Sequence, residues 1–238
     1  EAWTGQRPSA IPMVPDELTE ADFYSRASVQ AAYEAGLLPL GLDMETVEAV
    51  TWNLAKGNLL YLTEKEEQMT EFLEQIARSR QKVIVIAPQY HRLPTMSGVT
   101  MISDSKDYLK GLGSLEKRIQ ERLEQKEFGH VATVVVYNLR ELVSELEPAA
   151  IDSLARILDK GLRSGYGSIV MSDPLFNNKI DAASKMARTF KQGLLGIRVA
   201  DQSLFSVNNR PPKEGHLEEQ AHYYITDSTV YNIKVMML

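Results

Sequence analysis

The sequence predicts an α/β domain in which a mostly parallel sheet is covered by helices on both faces. Short apolar runs rich in Val and Ile alternate with longer segments whose apolar residues recur at helical spacing, and this alternation is typical of such a sheet. The C-terminal end instead predicts two adjacent strands, which add a small antiparallel extension. With 238 residues, 44% of them hydrophobic and 24% charged, the chain can bury a sizeable core.

The N-terminal part predicts a linker followed by a helix. Prolines at positions 8, 12 and 15 favour an extended backbone. Residues 19–35 predict one helix, with Thr19 as its N-cap and Gly36 directly after its end. We therefore divide the chain into an N-terminal linker and leading helix, residues 1–35, and a main domain, residues 36–238.

The sequence of the main domain predicts strands and helices in alternation. The strands are expected at residues 37–43, 47–54, 59–62, 83–87, 99–102, 132–136, 167–171, 194–199, 223–225 and 229–236. The main helices are expected from Thr63 to about residue 80 and at residues 104–126, 148–163 and 180–190. The long helix at residues 104–126 is predicted to have an apolar face that consists of Leu109, Leu112, Leu115, Ile119 and Leu123. The most β-branched strand, residues 132–136, should be central, and the last two strands should pair across Asp227 and Ser228.

The segment after the strand at residues 59–62 has the layout of a phosphate-binding loop without its chemistry. Such a loop reads G-x-x-x-x-G-K-[ST], and on that spacing this chain has Thr63, Gln68, Met69 and Thr70. Thr63 and Gln68 carry side chains where the tight turn needs glycine, and Met69 supplies no positive charge. We predict that these four positions do not bind ATP.

Nearby carboxylates strengthen that prediction and also offer a second interpretation. Glu64, Glu66 and Glu67 lie where triphosphate oxygens would lie, and like charges ~4 Å apart repel by roughly 1–4 kcal/mol. Thr63 and Glu66 also fit the capping box, in which Thr63 caps the first turn and Glu66 reaches back to it. The segment is then a capped helix after a strand, and whether it descends from a phosphate loop stays open on these residues alone.

Composition excludes several classes of function. The net charge of −6 argues against nucleic acid or an anionic membrane as a direct partner. The absence of Cys excludes disulfides and Cys nucleophiles, and the four scattered His residues give no metal-ligand pattern. No apolar run approaches the ~20 residues that span a bilayer. Residue 1 is Glu, and we expect the chain to be a piece of a longer protein.

Several motifs resemble one known family in their order and spacing. Gly5-Gln6-Arg7-Pro8, IPMVPDEL at residues 11–18 and LPLGLD at residues 38–43 come first, and FKQGLLGI at residues 190–197 and DQSLF at residues 201–205 follow. Together they resemble the last ATPase module of the FtsK/SpoIIIE-like proteins of type VII secretion systems (the EssC and EccC type). The resemblance covers nearly the whole chain and implies a RecA-like P-loop NTPase fold.

The departures from that family are concentrated at its nucleotide site. On this resemblance residues 132–136 form the Walker B strand, which should end in acids that hold Mg²⁺ and polarise water. Here it is followed by Tyr137 and Asn138, and the usual Gly-rich stretch near the C-terminus reads LEEQA at residues 217–221. We therefore expect no catalytic residue, no metal ligand, and loss of the ATP and Mg²⁺ that the family uses.

The resemblance implies a degenerate, non-catalytic ATPase module that acts in substrate docking, assembly or regulation. Its implied partners are neighbouring ATPase modules of the same parent chain and secreted helical substrates that carry a C-terminal signal. Its implied location is the cytoplasmic portion of a membrane-anchored secretion protein. A nucleotide-binding or weakly active ATPase module is the alternative, and a DNA translocase is a third class that the acidic charge disfavours. Arg163 is either a relic of an arginine finger or, as we favour, the structural partner of an acid.

Overall fold

The computed structural model describes residues 13–53, 55–79, 81–91, 93–211 and 214–236. Within them the strands are β1 (Leu38–Asp43), β2 (Ala49–Trp52), β3 (Leu59–Leu62), β4 (Val83–Ile86), β5 (Val99–Ile102), β6 (Ala132–Val136), β7 (Tyr166–Ser172), β8 (Gln192–Leu195), β9 (Ala221–Thr226) and β10 (Thr229–Lys234). The helices are α1 (Glu20–Ser25), α2 (Ala27–Glu34), α3 (Glu66–Arg78), α4 (Tyr108–Glu124), α5 (Leu139–Glu145), α6 (Pro148–Lys160) and α7 (Ala182–Ala187).

All ten of these strands form one sheet in the order β2-β1-β10-β9-β8-β3-β7-β6-β4-β5. The strands from β8 to β5 pair in parallel, and the rest pair antiparallel. The predicted α/β fold with a mostly parallel sheet is confirmed. The antiparallel part is larger than expected, because the N-terminal hairpin β1–β2 joins the C-terminal hairpin through pairing of Leu42 with Lys234.

The core lies on both faces of the sheet, since side chains of each strand alternate between the faces. In β3, Leu60 and Leu62 belong to the core under α4, α5, α6 and α7, whereas Leu59 and Tyr61 belong to the core under α3. All four side chains are at most 2% exposed. Burial of each Leu stabilises the fold by roughly 1.5–3 kcal/mol, so β3 is fixed from both sides.

The N-terminal helix is divided in two, which differs from the prediction of one helix over residues 19–35. Arg26 has an extended backbone, with φ −75° and ψ 134°, and separates α1 from α2. Thr19 is the N-cap of α1 as predicted, and its hydroxyl accepts a hydrogen bond from the Asp22 N–H at 3.2 Å. Most of the predicted linker, residues 1–12, lies outside the described residues.

Other differences concern where helices begin and end. Helix α4 starts at Tyr108 rather than residue 104, and Leu109 of the predicted apolar face is 51% exposed. Tyr108 is buried in its place because its hydroxyl donates to the Ala87 carbonyl at 2.7 Å. Helices α6 and α7 are shorter than predicted, and the strand expected at residues 194–199 ends at Leu195. Helix α5 was not predicted.

The topology determines where a functional site can lie. The carboxyl ends of β3, β4, β6, β7 and β8 meet at one edge of the sheet, which is the usual location of ligand sites in parallel α/β folds. The segments that follow these strands therefore lie next to one another. Across the described ranges, no helix has the length and apolar character needed to span a bilayer.

Candidate functional site

The four predicted phosphate-loop positions, Thr63, Gln68, Met69 and Thr70, lie where β3 runs into α3. Strand β3 ends at Leu62 and α3 begins at Glu66, so only three residues separate them. Gln68 and Met69, at the positions of the second glycine and the lysine of a phosphate loop, are already helical. The helix therefore begins before the position at which the second glycine and the lysine of a phosphate loop would lie.

Side chains fill the turn that glycines would leave open. Thr63 is fully buried, and its hydroxyl donates to the Gln68 side-chain oxygen and accepts from the Lys65 N–H at 3.1 Å. Gln68 is 8% exposed and donates through Nε2 to the Glu219 carbonyl at 2.9 Å. The Thr63 N–H donates to the Ser172 carbonyl at 3.2 Å. These bonds tie the turn to β7 and to the segment before β9.

The capping box predicted for Thr63 and Glu66 is wrong. The N-cap of α3 is Lys65, which makes no side-chain capping bond. Thr63 lies two residues before that N-cap, and its hydroxyl bonds the Gln68 side chain and the Lys65 N–H instead. Glu66 turns away because His91 lies beside it, with 2.6 Å between Nδ1 and the Glu66 carboxylate.

Met69 points into the core at the position where a phosphate loop has its lysine. It is 3% exposed and belongs to the apolar cluster that also contains Tyr61, Phe72 and Leu73. An ammonium group at this position would lose its hydration without gaining a partner, which is costly. The site therefore differs from a phosphate loop in geometry as well as in charge.

Thr70 and Tyr137 are joined by a direct hydrogen bond. The Thr70 hydroxyl donates to the Glu66 carbonyl at 3.2 Å and lies 2.9 Å from the Tyr137 hydroxyl. Burial of the phenol raises the pKa of Tyr137 to about 12, and the charges of Glu66 and Glu141 add to that while the Thr70 hydrogen bond opposes it. Tyr137 is thus a neutral group where the resemblance expects an acid.

Asn138, the second Walker B position, has a structural role. Its backbone is left-handed, with φ 47° and ψ 65°, a conformation that Asn adopts more readily than most residues. Its side-chain oxygen lies 3.5 Å from the Glu141 N–H as the N-cap of α5. An N-cap of this type explains why α5 begins directly after β6.

His91 is a functional candidate that sequence reasoning missed. Its ring bridges α3 and α5, with 2.6 Å from Nδ1 to Glu66 and 2.6 Å from Nε2 to Glu141. It also packs edge-on against Tyr137, with ring centroids 5.4 Å apart. Burial lowers the pKa of His91, but the hydrogen bonds and charges of Glu141 and Glu66 outweigh it and the pKa is raised. No local pattern could reveal this, because both glutamates are distant in sequence.

A second missed group lies under the turn. His222 is 2% exposed, and its Nε2 lies 3.0 Å from the Tyr61 hydroxyl. Burial lowers the pKa of His222 to about 4, so the ring is neutral at pH 7. Gly196 leaves room for this group, because a Cβ there would lie 2.8 Å from His222 Nε2 and 2.8 Å from the Gln68 side-chain oxygen.

A cleft of about 310 Å³ lies beside α3. Its lining includes the buried side chains of Tyr61, Phe72 and Leu194 and the exposed Glu219. Of the four phosphate-loop positions only Gln68 contributes to it. The cleft therefore lies next to the turn rather than in the place of the phosphates.

Arg163 lies away from this site. It is exposed on the turn before β7, at the amino edge of the sheet, and makes no ion pair within 4.0 Å in the described part of the chain. The favoured structural pairing with an acid is therefore not found among the described residues. The nearby Arg122 makes such a pair, with Glu127, and donates to the Ser164 carbonyl at 2.8 Å. Within the described ranges, no group of three or more His, Asp and Glu side chains could hold a metal ion.

Strand β3, a short turn and helix α3 lie at the carboxyl edge of the parallel part of the sheet, and β6 lies two strands away from β3. This arrangement is that of a RecA-like α/β fold. The chain is 23% identical over 247 residues to the type VII secretion system protein EssC of Staphylococcus aureus strain MRSA252. That match covers 99% of this chain and 16% of EssC. The same protein from strain MSSA476 is 23% identical over 252 residues. No family model matches the chain.

Solved structures of the same type share the fold. EssC (ATPases 2 and 3) from Geobacillus thermodenitrificans has a TM-score of 0.83 at 20% identity, over 95% of this chain and 45% of that one. The cytoplasmic domain of EssC has a TM-score of 0.79 at 20% identity, over 97% of this chain and 49% of that one. Thermomonospora curvata EccC (ATPases 2 and 3), in complex with a signal sequence peptide, has a TM-score of 0.71 at 16% identity, over 99% of this chain and 46% of that one.

These similarities confirm both the resemblance to EssC and EccC and the RecA-like fold. The chain spans about 16% of the length of the curated relatives that it matches and about half of each of the solved chains described above. In length and fold it therefore matches one ATPase domain of these EssC and EccC chains.

Proposed function

We propose that this domain is a non-catalytic ATPase module of a type VII secretion protein, and that it acts in substrate docking, assembly or regulation of the catalytic modules. The observation that carries the proposal is the hydrogen bond between Thr70 and Tyr137. In a working site the corresponding hydroxyl and an acid of the Walker B strand hold Mg²⁺ between them. Here the two side chains bind each other.

The chemistry of the pair supports this. Magnesium requires oxygen ligands, usually carboxylates or phosphates, in near-octahedral geometry. Because the pKa of Tyr137 is about 12, its oxygen carries no negative charge at pH 7. Thr70 already donates to the Glu66 carbonyl, so neither hydroxyl offers a metal the electrostatic attraction that a carboxylate would.

The charges around the turn oppose a triphosphate. Glu66 and Glu67 are exposed on the first turn of α3, and Glu141 is exposed on the first turn of α5. Each carboxylate within ~4 Å of a phosphate oxygen would repel it by roughly 1–4 kcal/mol. His91 lies between Glu66 and Glu141 and is held there by contacts with both carboxylates. We propose that the domain has no affinity for ATP or Mg²⁺-ATP tighter than millimolar.

We propose the partners and the location of this domain on the basis of its relatives. The EccC structure contains ATPases 2 and 3 with a signal sequence peptide, which supports a secreted substrate and neighbouring modules of the same chain as partners here. We propose that the domain lies in the cytoplasmic portion of a membrane-anchored protein, with residues 1–35 as an N-terminal segment and residues 36–238 as the module. The net charge of −6 supports a role without nucleic acid or direct membrane contact.

The proposal is tested in the full-length parent protein. Deletion of the module should abolish secretion, whereas Thr70→Val should leave both ATP turnover and secretion within twofold of the parent. Thr70→Val removes the hydroxyl that any magnesium-dependent site on this helix would need. A tenfold loss of turnover in a folded Thr70→Val protein would contradict a non-catalytic role and support a weakly active ATPase module.

A further inference from the structure

A short segment before and within β9 connects two parts of the domain that are far apart in sequence. We call residues 219–222 the bridging segment and residues 15–18, which precede α1, the leading segment. The bridging segment bonds the start of α3 on one side and the leading segment on the other. More than 40 residues lie between the leading segment and α3, so neither contact arises from local structure.

The contact with α3 is made by Glu219. Its carbonyl accepts a hydrogen bond from Gln68 Nε2 at 2.9 Å, and its carboxylate lies 3.3 Å from Lys65 Nζ. The hydrogen bond from Gln68 contributes more to stability than the ion pair with Lys65. Gln68 is buried, whereas the ion pair is half-exposed, and exposed ion pairs contribute little. His222 anchors the other end of the bridging segment on Tyr61.

The contact with the leading segment is made by Gln220. Its side chain accepts from the Leu18 N–H at 2.9 Å and donates to the Leu18 carbonyl at 2.8 Å. Gln220 is 5% exposed and Leu18 is fully buried, so loss of these bonds would leave buried backbone groups unpaired. Lys234 adds a second attachment and donates from Nζ to the Pro15 carbonyl at 2.8 Å and to the Asp16 carbonyl.

The two contacts are linked by one rigid peptide unit. The Glu219 carbonyl, which accepts a hydrogen bond from Gln68, belongs to the same planar peptide unit as the Gln220 nitrogen. By fixing that plane, Gln68 also fixes the backbone orientation of Gln220 and hence the direction of its side chain. We propose that the amide of Gln68, at a former phosphate-loop position, orders the leading segment through the bridging segment. Any event that moves the start of α3 then changes the order of the chain upstream, and the coupling works in both directions. This inference rests on contacts within the domain and is independent of the proposed function.

The test is amide hydrogen exchange at Leu18, measured by NMR on the complete chain. Gln220→Ala should raise the exchange rate of the Leu18 amide at least tenfold, because it removes the acceptor. Gln68→Met keeps the length of the side chain but removes the donor to Glu219, and it should raise the same rate at least threefold. The double variant should exchange no faster than Gln220→Ala alone.

Gln202 provides the matched control. It is buried and makes the same pair of bonds with the backbone of Phe205, at 2.7 and 3.1 Å. Gln202→Ala should lower the free energy of unfolding by a similar amount to Gln220→Ala. It should not change the exchange rate of the Leu18 amide relative to the exchange rates of other core amides. Unchanged exchange at Leu18 in Gln68→Met, or equal increases in Gln68→Met and Gln202→Ala, would overturn the coupling. If Gln220→Ala does not fold, the comparison of Gln68→Met with Gln202→Ala still decides it, and neither result depends on nucleotide binding.

Discussion

The hydroxyl of Thr70 on helix α3 lies 2.9 Å from the hydroxyl of Tyr137 at the end of strand β6. On the resemblance to EssC and EccC, we expect these two positions to correspond to the Ser/Thr and the acid that share Mg²⁺ in an active module. Their direct contact means that the helix and the strand are held together by the protein itself. The closed arrangement should therefore be stable without a ligand, which leads to the following predictions.

Tyr137→Phe should lower the free energy of unfolding by about 0.5–1.5 kcal/mol, since it removes one hydrogen bond from a buried ring and keeps its packing. Urea denaturation measures the change. The exposed Tyr231 provides the control, and Tyr231→Phe should change the stability by less than about 0.5 kcal/mol. Equal effects of the two substitutions would mean that the Thr70 contact contributes nothing.

Met69→Lys should destabilise the domain rather than restore a phosphate loop. It places an ammonium among Tyr61, Phe72 and Leu73, and an unpaired buried charge costs several kcal/mol. Met69→Leu conserves volume and should cost less than about 1.5 kcal/mol. Thermal unfolding separates the two variants. A Met69→Lys domain with unchanged stability and a gain of ATP binding would be inconsistent with the buried position of this side chain.

Gly196→Ala should cost about 1–3 kcal/mol, because its Cβ would lie 2.8 Å from both the Gln68 side-chain oxygen and His222 Nε2. Gly113 on the exposed face of α4 has no atom within 4 Å of a Cβ, so Gly113→Ala should stabilise by roughly 0.5–1 kcal/mol. Denaturant titrations should therefore show a lower free energy of unfolding for Gly196→Ala and a higher one for Gly113→Ala. A neutral Gly196→Ala would show that the turn can move aside.

The stability contributed by His91 should depend on pH in a defined direction. Its pKa is raised in the folded state above the ordinary value of about 6.5, so the folded protein binds this proton more tightly. The contribution is then fully present below about pH 6.5 and is lost as pH rises through the raised folded pKa. Its size should be about 1 kcal/mol, because Glu66 and Glu141 are half-exposed and solvent screens the interaction.

The measurement compares the free energy of unfolding of the parent and His91→Gln at pH 6 and at pH 9. The difference between the two proteins should shrink at the higher pH. The exposed His216 is the control, and His216→Gln should track the parent at both values. A difference that grows with pH would reverse the sign of the proposed linkage.

Most of the fold could be predicted because the strands are short, apolar and bounded by turns. The strands at residues 59–62, 99–102 and 132–136 have the predicted bounds, and the last two strands pair across Asp227 and Ser228 as predicted. Both turn residues have positive φ, which suits a two-residue hairpin turn. Helix α5 was missed because its start depends on a left-handed Asn138. The break at Arg26 was missed because the apolar pattern continues across it.

The candidate site could be predicted in its composition but not in its contacts. The missing glycines, lysine and acid are visible at Thr63, Gln68, Met69 and Tyr137. The groups that complete the site, such as His91 and Glu219, come from distant segments. No local sequence pattern indicates their contacts. The capping box failed for the same reason, since a tertiary partner of Glu66 outweighed its local one.

The most direct measurement is calorimetric titration of the domain with Mg²⁺-ATP at pH 7. The contact between Thr70 and Tyr137, the buried Met69 and the surrounding carboxylates together predict no heat of binding up to millimolar ATP. Saturable binding with a submicromolar Kd that disappears in Thr70→Val would contradict the view that the protein's own side chains have replaced the nucleotide.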